Sequence, residues 1–427
     1  MTLLDLLDPL LDASQKGFPH HSPPLKRSQI GQQGWNVLRG DLPMPLAVVR
    51  QTALAHNLHW MQDFAKSQGV DIAPHGKTTL SPQLFQRQLG AGAWGMTVAN
   101  VTQLQIAVAS GAKNCLIANQ VIAAVDLTQI AALKRQHPGL RIVFLVDSVA
   151  QLALIERWRV SNALSPGFEV LLELGVQGGR TGCRNHEDAL HLAYRLHASP
   201  AVHLVGIECY EGLAATGQSE ADAPYVQDLM RRLEAVALAC DEKGLFEADE
   251  VLVTAGGSAV FDLVASHLKP KLRKPVRGLL RSGCYLTHDQ GNYKRMMGAM
   301  ARRMRCGDGL HAALEVWAAV QSLPEPGLAI LTAGKRDISY DQEMPSVLRF
   351  CRRDSQDLQA APASWRVAAL NDQHAYLQGL ASDISQLQLG DLICLGISHP
   401  CTTFDKWRWM PLVDESYNVV DAIVTCF

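Results

Sequence analysis

At 427 residues the chain is longer than one ordinary core organises, so two structural units are expected, one of them a barrel of roughly 250 residues. Hydrophobic residues make up 48% and charged residues 19%, and a formal net charge of -2 gives no field for nucleic acid or an anionic membrane surface. Ten cysteines, Cys115, Cys183, Cys209 and Cys394 among them, lie singly rather than in a compact disulfide framework, which suggests a reducing cytosol.

The opening stretch, MTLLDLLDPLLDASQKG, has no basic start and carries Asp5 and Asp8 inside its apolar run, which argues against a signal peptide. No uninterrupted apolar run is long enough to span a bilayer, so a soluble cytoplasmic protein is expected. Residues 18–35, rich in Pro, Gly and polar side chains, read as a loop or extended arm. Leu54, Leu58, Met61 and Ala65 then recur at helical spacing, with Gly69 placed as a C-cap glycine.

From there, short apolar runs alternate with helix-length segments. The runs are DIAPHGK (71–77), WGMTV (94–98), NCLIA (114–118), RIVFLV (141–146), FEVLLEL (168–174), VHLVGIE (202–208), EVLVT (250–254) and RGLLRSG (277–283). Helix starts are marked by Ser81-Pro82 and by Asp147-Ser148. Eight such units predict an α/β fold with a (β/α)8 TIM-like barrel. After about residue 310 the pattern changes to runs such as HAALEVWAAVQSL, SWRVAAL and DLICLGIS, which predict a second, mainly antiparallel β domain. The expected division is 1–42 as an arm completing the β domain, 43–305 as the barrel and 306–427 as the β domain.

Chemistry in a (β/α)8 barrel sits where the strands end. The first run closes in PHGKTT; a lysine emerging at a barrel mouth is partly desolvated and suits a Schiff base, although a surface loop lysine is the alternative for Lys77. The seventh run enters TAGGSAVFD, where Gly256 and Gly257 let a backbone approach an anion and Ser258 can cap the next helix. Thr254, at the head of that turn, and Cys284 and Tyr285, in the eighth turn RSGCYLTHDQ, are further candidate cofactor contacts. A Schiff-base lysine beside a phosphate cradle on strands seven and eight suggests pyridoxal phosphate. Arg180, in a Gly-rich turn, could meet a cofactor oxygen or a substrate carboxylate, and Tyr210 a pyridine ring; an ion pair and simple packing are their plainer roles.

Near the C-terminus, SHPCTTFDKW spaces His399 and Cys401 two apart, so in an extended segment both would point to one side. A structural zinc site needs four protein ligands, and this stretch offers two. Either the pair is incidental or it holds a metal with open positions.

Taken together, APHGKTTLSPQLFQRQLGAGAWGMTVANVTQL, GGRTG, YEG, TAGGS and SHPCTTFDKW resemble the D-serine dehydratase and D-threonine aldolase group, pyridoxal phosphate enzymes of the alanine racemase fold type. The resemblance runs from about residue 43 to the end. It implies that Lys77 carries the cofactor, that Arg180 and Tyr210 contact its ring, and that Gly256, Gly257 and Ser258 help hold its phosphate. It also implies a metal on His399 and Cys401, as in the dehydratases, where the aldolases have His-x-Asp. Thiolate plus imidazole suits Zn2+ better than Mn2+ or Mg2+, without excluding another divalent metal. LNDQHAYL is similar to a further family stretch and makes His374 a catalytic candidate, with a packed β-domain histidine as the alternative. The implied protein is a homodimer acting on a small 3-hydroxy D-amino acid, by dehydration first and by retro-aldol cleavage or racemisation as alternatives.

Overall fold

In the computed structural model, which describes residues 3–162, 166–212, 215–305 and 307–427, the eight predicted runs form one parallel sheet. Its strands are Asp71–Ile72, Met96–Val98, Asn114–Gln120, Arg141–Val146, Phe168–Leu174, Val202–Cys209, Val251–Ala255 and Val276–Leu280. From the second strand to the eighth each pairs with its neighbour in sequence, and the eighth pairs with the first. Closure between the first and second strands rests on a bridge between His75 and Thr97 and on the Trp94 amide donating to the Ile72 carbonyl at 2.9 Å. The ladder is thin there because Pro74 has no amide hydrogen to give.

Alternation along the strands sorts the barrel into an inside and an outside. Cys115, Ile117, Phe144 and Val170 pack towards the helices, while Leu116, Val143, Leu145, Leu171, Leu252 and Leu279 form a separate buried cluster within the ring. Two residues beyond Leu171, Leu252 and Leu279, the inward series continues as Glu173, Thr254 and Arg281, all buried. Glu208 stands in register with both Glu173 and Thr254, so a polar layer caps the apolar one.

The helix predicted around residue 60 spans Gln51–Ser67 and buries Leu54, Leu58, Met61 and Ala65. Gly69 follows it at φ +66, and its amide donates to the Lys66 carbonyl. Pro82 opens the helix Pro82–Gly90, and Ser148 caps Val149–Ser161 by accepting the Gln151 amide.

A second sheet surrounds the long strand Leu314–Glu325. Its first half pairs antiparallel with Leu392–Gly396 on one edge and Leu46–Arg50 on the other, and its second half pairs with Leu328–Leu331. The expected boundary at residue 43 gives Leu46–Arg50 to the barrel; its hydrogen bonds are with this sheet, and the barrel units begin at the helix that follows. Apart from the contact of Leu412 and Val413 with Val49 and Arg50, the pairings in this sheet are antiparallel. The N-terminal arm lies along the same sheet: the Val37 amide donates to the Tyr417 carbonyl, and Phe18 meets Trp409 edge-on at 5.5 Å.

Among the described residues no helix is long and apolar enough to cross a membrane. All nine described cysteines are free thiols, and Cys306 lies outside the described residues.

A candidate active site at the barrel mouth

A cavity of about 630 Å³ opens at the carboxyl ends of the barrel strands and reaches His399 and Cys401 on the second domain. Lys77 enters it from the 3-10 turn Gly76–Thr78 that follows the first strand. Gly76 is required for this turn to seat, because a Cβ there would stand 2.5 Å from the Phe85 ring. The Lys77 side chain is exposed to the cavity, with no carboxylate partner among the described residues. Behind it the buried Nδ1 of His75 has no hydrogen-bond partner among the described residues. Burial, reinforced by the positive charges of Lys77, Arg281 and Arg180, holds the His75 imidazole well below its usual range and therefore neutral. Three cations converging on a neutral histidine leave the cavity suited to an anionic ligand.

The floor is the polar layer of the barrel. Arg281 donates to Thr254 Oγ1 at 2.9 Å and to the Cys209 carbonyl at 3.0 Å. Its Nη2 lies 2.7 Å from Glu208 Oε2 but out of line, so neither oxygen of Glu208 has a well-aligned hydrogen bond. Burial pushes the Glu208 carboxyl up to about 8, against the pull of Arg281 and with the push of Glu173. Glu173 is raised for the same first cause, burial, offset by the Thr181 hydroxyl, which donates to it at 2.5 Å, and by the Gln120 side chain.

Gly256, Gly257 and Ser258 all line the cavity, yet the two glycine amides do not open into it. Gly256 N donates to Glu211 Oε2 at 3.0 Å and Gly257 N to Glu211 Oε1 at 2.8 Å, so a buried carboxylate of the YEG motif fills the anion-binding turn. Tyr210 packs beside Gly257, and the guanidinium of Arg180 lies 5.3 Å from its ring centroid. Burial raises the Tyr210 phenol to about 12, which keeps it neutral. On the eighth turn, Gly283 lets the chain approach the first: a Cβ there would meet the His75 carbonyl at 2.4 Å.

His399 and Cys401 reach the cavity by a route other than the extended segment expected. Pro400 adopts a helical conformation, φ -59 and ψ -45, and Cys401 starts the one-turn helix Cys401–Phe404. His399 Nδ1 lies 2.5 Å from Asp341 Oδ2, while Asp341 Oδ1 accepts the Thr402 hydroxyl at 2.6 Å. Cys401 Sγ is 3.6 Å from Cys284 Sγ and 3.4 Å from Thr78 Oγ1. Hydrogen bonding from Cys284, opposed by burial and helped by His399 and Thr78, holds the Cys401 thiol well below its usual range, whereas Cys284 is raised. Burial opposes protonation of His399, but Cys401 and Asp341 raise it to about 9. An imidazolium–thiolate pair held by a carboxylate is thus ready to exchange its proton for a metal cation.

The structure brings Lys77, Arg180, Tyr210, Gly256, Gly257, Ser258, Cys284, His399 and Cys401 to one cavity. Three other sequence candidates stand elsewhere. Thr254 lies beneath the floor, its hydroxyl spent on Leu279 O and Arg281. Tyr285 is turned into the core, where its hydroxyl accepts from Gln88 at 3.2 Å. His374 sits in the turn between strands Arg366–Leu370 and Ala375–Gln378, away from the lining residues. Sequence reasoning missed Glu173, Glu208, Glu211, Arg281 and Asp341. For Glu173, Glu208 and Arg281 the available signal was a charged residue at the end of an otherwise apolar strand; Glu211 and Asp341 lie in turns and carried no such signal.

Comparison with known proteins follows this geometry. Residues 49–295 match the family model for the alanine racemase N-terminal domain, and the chain belongs to that family. Residues 313–413 match the model described as "Putative serine dehydratase domain". The chain is similar to a D-threonine aldolase of Arthrobacter sp, 25% identical over 92% of this chain and 91% of that protein. It is also similar to a D-threo-3-hydroxyaspartate dehydratase of Delftia sp. strain HT23, 28% identical over 70% of this chain and 74% of that one. The solved structure of the D-threonine aldolase from Filomicrobium marinum superposes with a TM-score of 0.76 at 23% identity, covering 92% of this chain and 97% of that one.

The family implies pyridoxal phosphate, and the cavity fits it. Among the described residues, a lysine amine without a carboxylate partner, an unpartnered buried imidazole nitrogen and convergent arginines suit an anionic aldehyde cofactor.

Proposed function

We propose that the protein is a pyridoxal phosphate- and metal-dependent dehydratase that converts a 3-hydroxy D-amino acid, such as D-serine or D-threonine, to a 2-oxo acid and ammonia. The observation carrying this reading is that Lys77 and the His399–Cys401 pair, far apart in sequence, line the same cavity.

In this reading Lys77 holds the cofactor covalently, Ser258 and the turn at Cys284 border its phosphate, and Tyr210 with Arg180 flanks its ring. Bound there, the cofactor supplies an electron sink and a zinc ion supplies a Lewis acid for the departing hydroxyl. The Lys77 amine would also serve as the general base that takes the substrate α-proton. Asp341 fixes the ring of His399 through Nδ1, leaving Nε2 for the cation. Cys401 gives that cation a thiolate where a carboxylate would favour harder ions, and two protein ligands leave positions open for substrate. Instead of meeting the cofactor, Arg180 would in an alternative arrangement pair with a substrate carboxylate.

A retro-aldol enzyme is the second reading, favoured by similarity to a D-threonine aldolase over nearly the whole chain. There the same base and cation would act on the substrate hydroxyl proton, and Cα–Cβ would break. Product analysis decides. Cofactor-loaded protein is given D-serine and D-threonine with and without a chelator. Chelator-sensitive pyruvate or 2-oxobutyrate with ammonia supports the dehydratase; glycine with acetaldehyde supports the aldolase; racemised substrate unaffected by chelator overturns both. A cytoplasmic homodimer belongs to the proposal, and size-exclusion chromatography with light scattering tests the assembly.

A further inference from the structure

Away from the cavity, one more group of metal-ligating side chains comes together. His56 belongs to the helix Gln51–Ser67, whereas Asp308 and His311 lie on the segment linking the helix Asn292–Met304 to the strand Leu314–Glu325. Among the described residues this is the group of three whose ligand atoms all lie within 4.8 Å of one another. His56 Nε2 is 3.8 Å from Asp308 Oδ2 and 2.8 Å from the Gly309 carbonyl oxygen, and His311 Nε2 is 2.9 Å from Asp308 Oδ1.

Donors about 2.1 Å from a shared ion stand roughly 3.0 Å apart at right angles and roughly 3.4 Å apart in a tetrahedron. The observed spacings bracket those values. The two imidazoles are stacked, 3° from parallel with centroids 3.8 Å apart, so their in-plane lone pairs run side by side, and the exposed His311 ring must rotate for both Nε2 atoms to meet one ion. Neutral imidazole is the form that ligates a cation.

The ligand-bearing segment is also held in place before any ion arrives. Buried Asn57 receives the His311 amide at 2.7 Å and donates to the His311 carbonyl at 2.7 Å, and Trp60 Nε1 donates to the Asp308 carbonyl at 3.1 Å. Side chains from three adjacent or near-adjacent positions of one helix therefore fix the backbone on both sides of Gly309. Pre-ordered ligands lose little conformational entropy on binding.

We propose that His56, Asp308 and His311, with the Gly309 carbonyl, form a second divalent transition-metal site that clasps the first barrel helix to the segment between the two domains. Two imidazoles and one carboxylate select zinc or nickel over magnesium or calcium. None of the three side chains lines the cavity, so the site is structural and separate from the His399–Cys401 pair.

The test removes the cavity pair first, so that it is independent of the proposed reaction. Chelator-stripped protein carrying His399→Ala and Cys401→Ala is dialysed against micromolar zinc chloride and analysed for metal. About one zinc per chain is expected, with a zinc-dependent rise in Tm; no retained zinc would overturn the site. Adding Asp308→Asn, which preserves shape and leaves both rings, is expected to weaken zinc binding by roughly tenfold or more and to abolish the rise in Tm. Adding His311→Ala should do at least as much. Zinc binding unchanged by either variant, with circular dichroism showing them folded, would assign the metal elsewhere and also overturn the proposal.

Discussion

Cys284 and Cys401 face each other sulfur to sulfur at 3.6 Å, one from the turn after the eighth barrel strand and the other from the second domain. Either sulfur could donate across this contact, and the Cys401 thiol, lowered while Cys284 is raised, is the one expected to carry the negative charge beside His399. In metal-free protein, limiting iodoacetamide at pH 7 should therefore alkylate Cys401 before the other described cysteines, by about tenfold in rate. Zinc should suppress that labelling. Peptide mass spectrometry reads both effects; labelling of Cys401 no faster than that of Cys426 would remove the thiolate assignment.

Lys77 is expected to be the covalent anchor of the cofactor. Borohydride treatment of loaded protein should fix a pyridoxyl mass on the peptide containing Lys77, and Lys77→Ala should show neither that adduct nor the visible absorbance band. Activity in the variant should fall by roughly a thousandfold, within the range for loss of a general base. An adduct on another lysine, such as Lys294, would relocate the chemistry.

In the proposed site Asp341 would act through His399 rather than on substrate. Because it fixes the Nδ1 side of the ring, Asp341→Asn should lower zinc affinity at the cavity by about 10- to 100-fold. Excess zinc should restore most of the lost turnover. A variant with wild-type affinity would make the 2.5 Å contact incidental.

The barrel was legible because its strands are short apolar runs spaced by helix-length segments with clear start signals, such as Ser148 before Val149–Ser161. Leu46–Arg50 was not, since its partners Leu314–Trp317 lie far along the chain and nothing local marks the pairing. Lys77, His399 and Cys401 could be picked out by chemistry and by position at strand ends. Asp341 could not, because only the fold carries it to His399. Glu173 and Arg281 were hidden for another reason. Within an apolar strand a single charge reads as a solvent-facing residue, and register alone shows that each continues the inward series above Leu171 and Leu279. Pro400 defeated the expectation of an extended pair by turning the chain into a helix at Cys401.

Glu208 makes stability depend on pH in a definite window. Its carboxyl titrates near 8 in the folded protein against an ordinary value of 4.5, so the folded state keeps a proton that the unfolded chain releases. Stability is therefore lost as pH rises from 4.5 towards 8, by an amount on the order of a few kcal/mol in total. Other groups overlap this range, His399 among them, which is raised to about 9 and adds its own loss as pH rises above 6.5. Burial depresses His288 to about 4, which costs stability as pH falls below 6.5, and burial raises Asp289 to about 7, which adds to the loss up to that pH. Between pH 7 and 8 His288 and Asp289 contribute little, and His399 contributes equally to wild type and Glu208→Gln, so the difference between the two proteins isolates Glu208. Cofactor-free wild type should lose urea resistance across that interval, whereas Glu208→Gln should show a shallower slope there and a relative gain at pH 8. Parallel profiles for the two proteins would mean that Glu208 is ionised in the folded state throughout, with Arg281 as a full ion-pair partner.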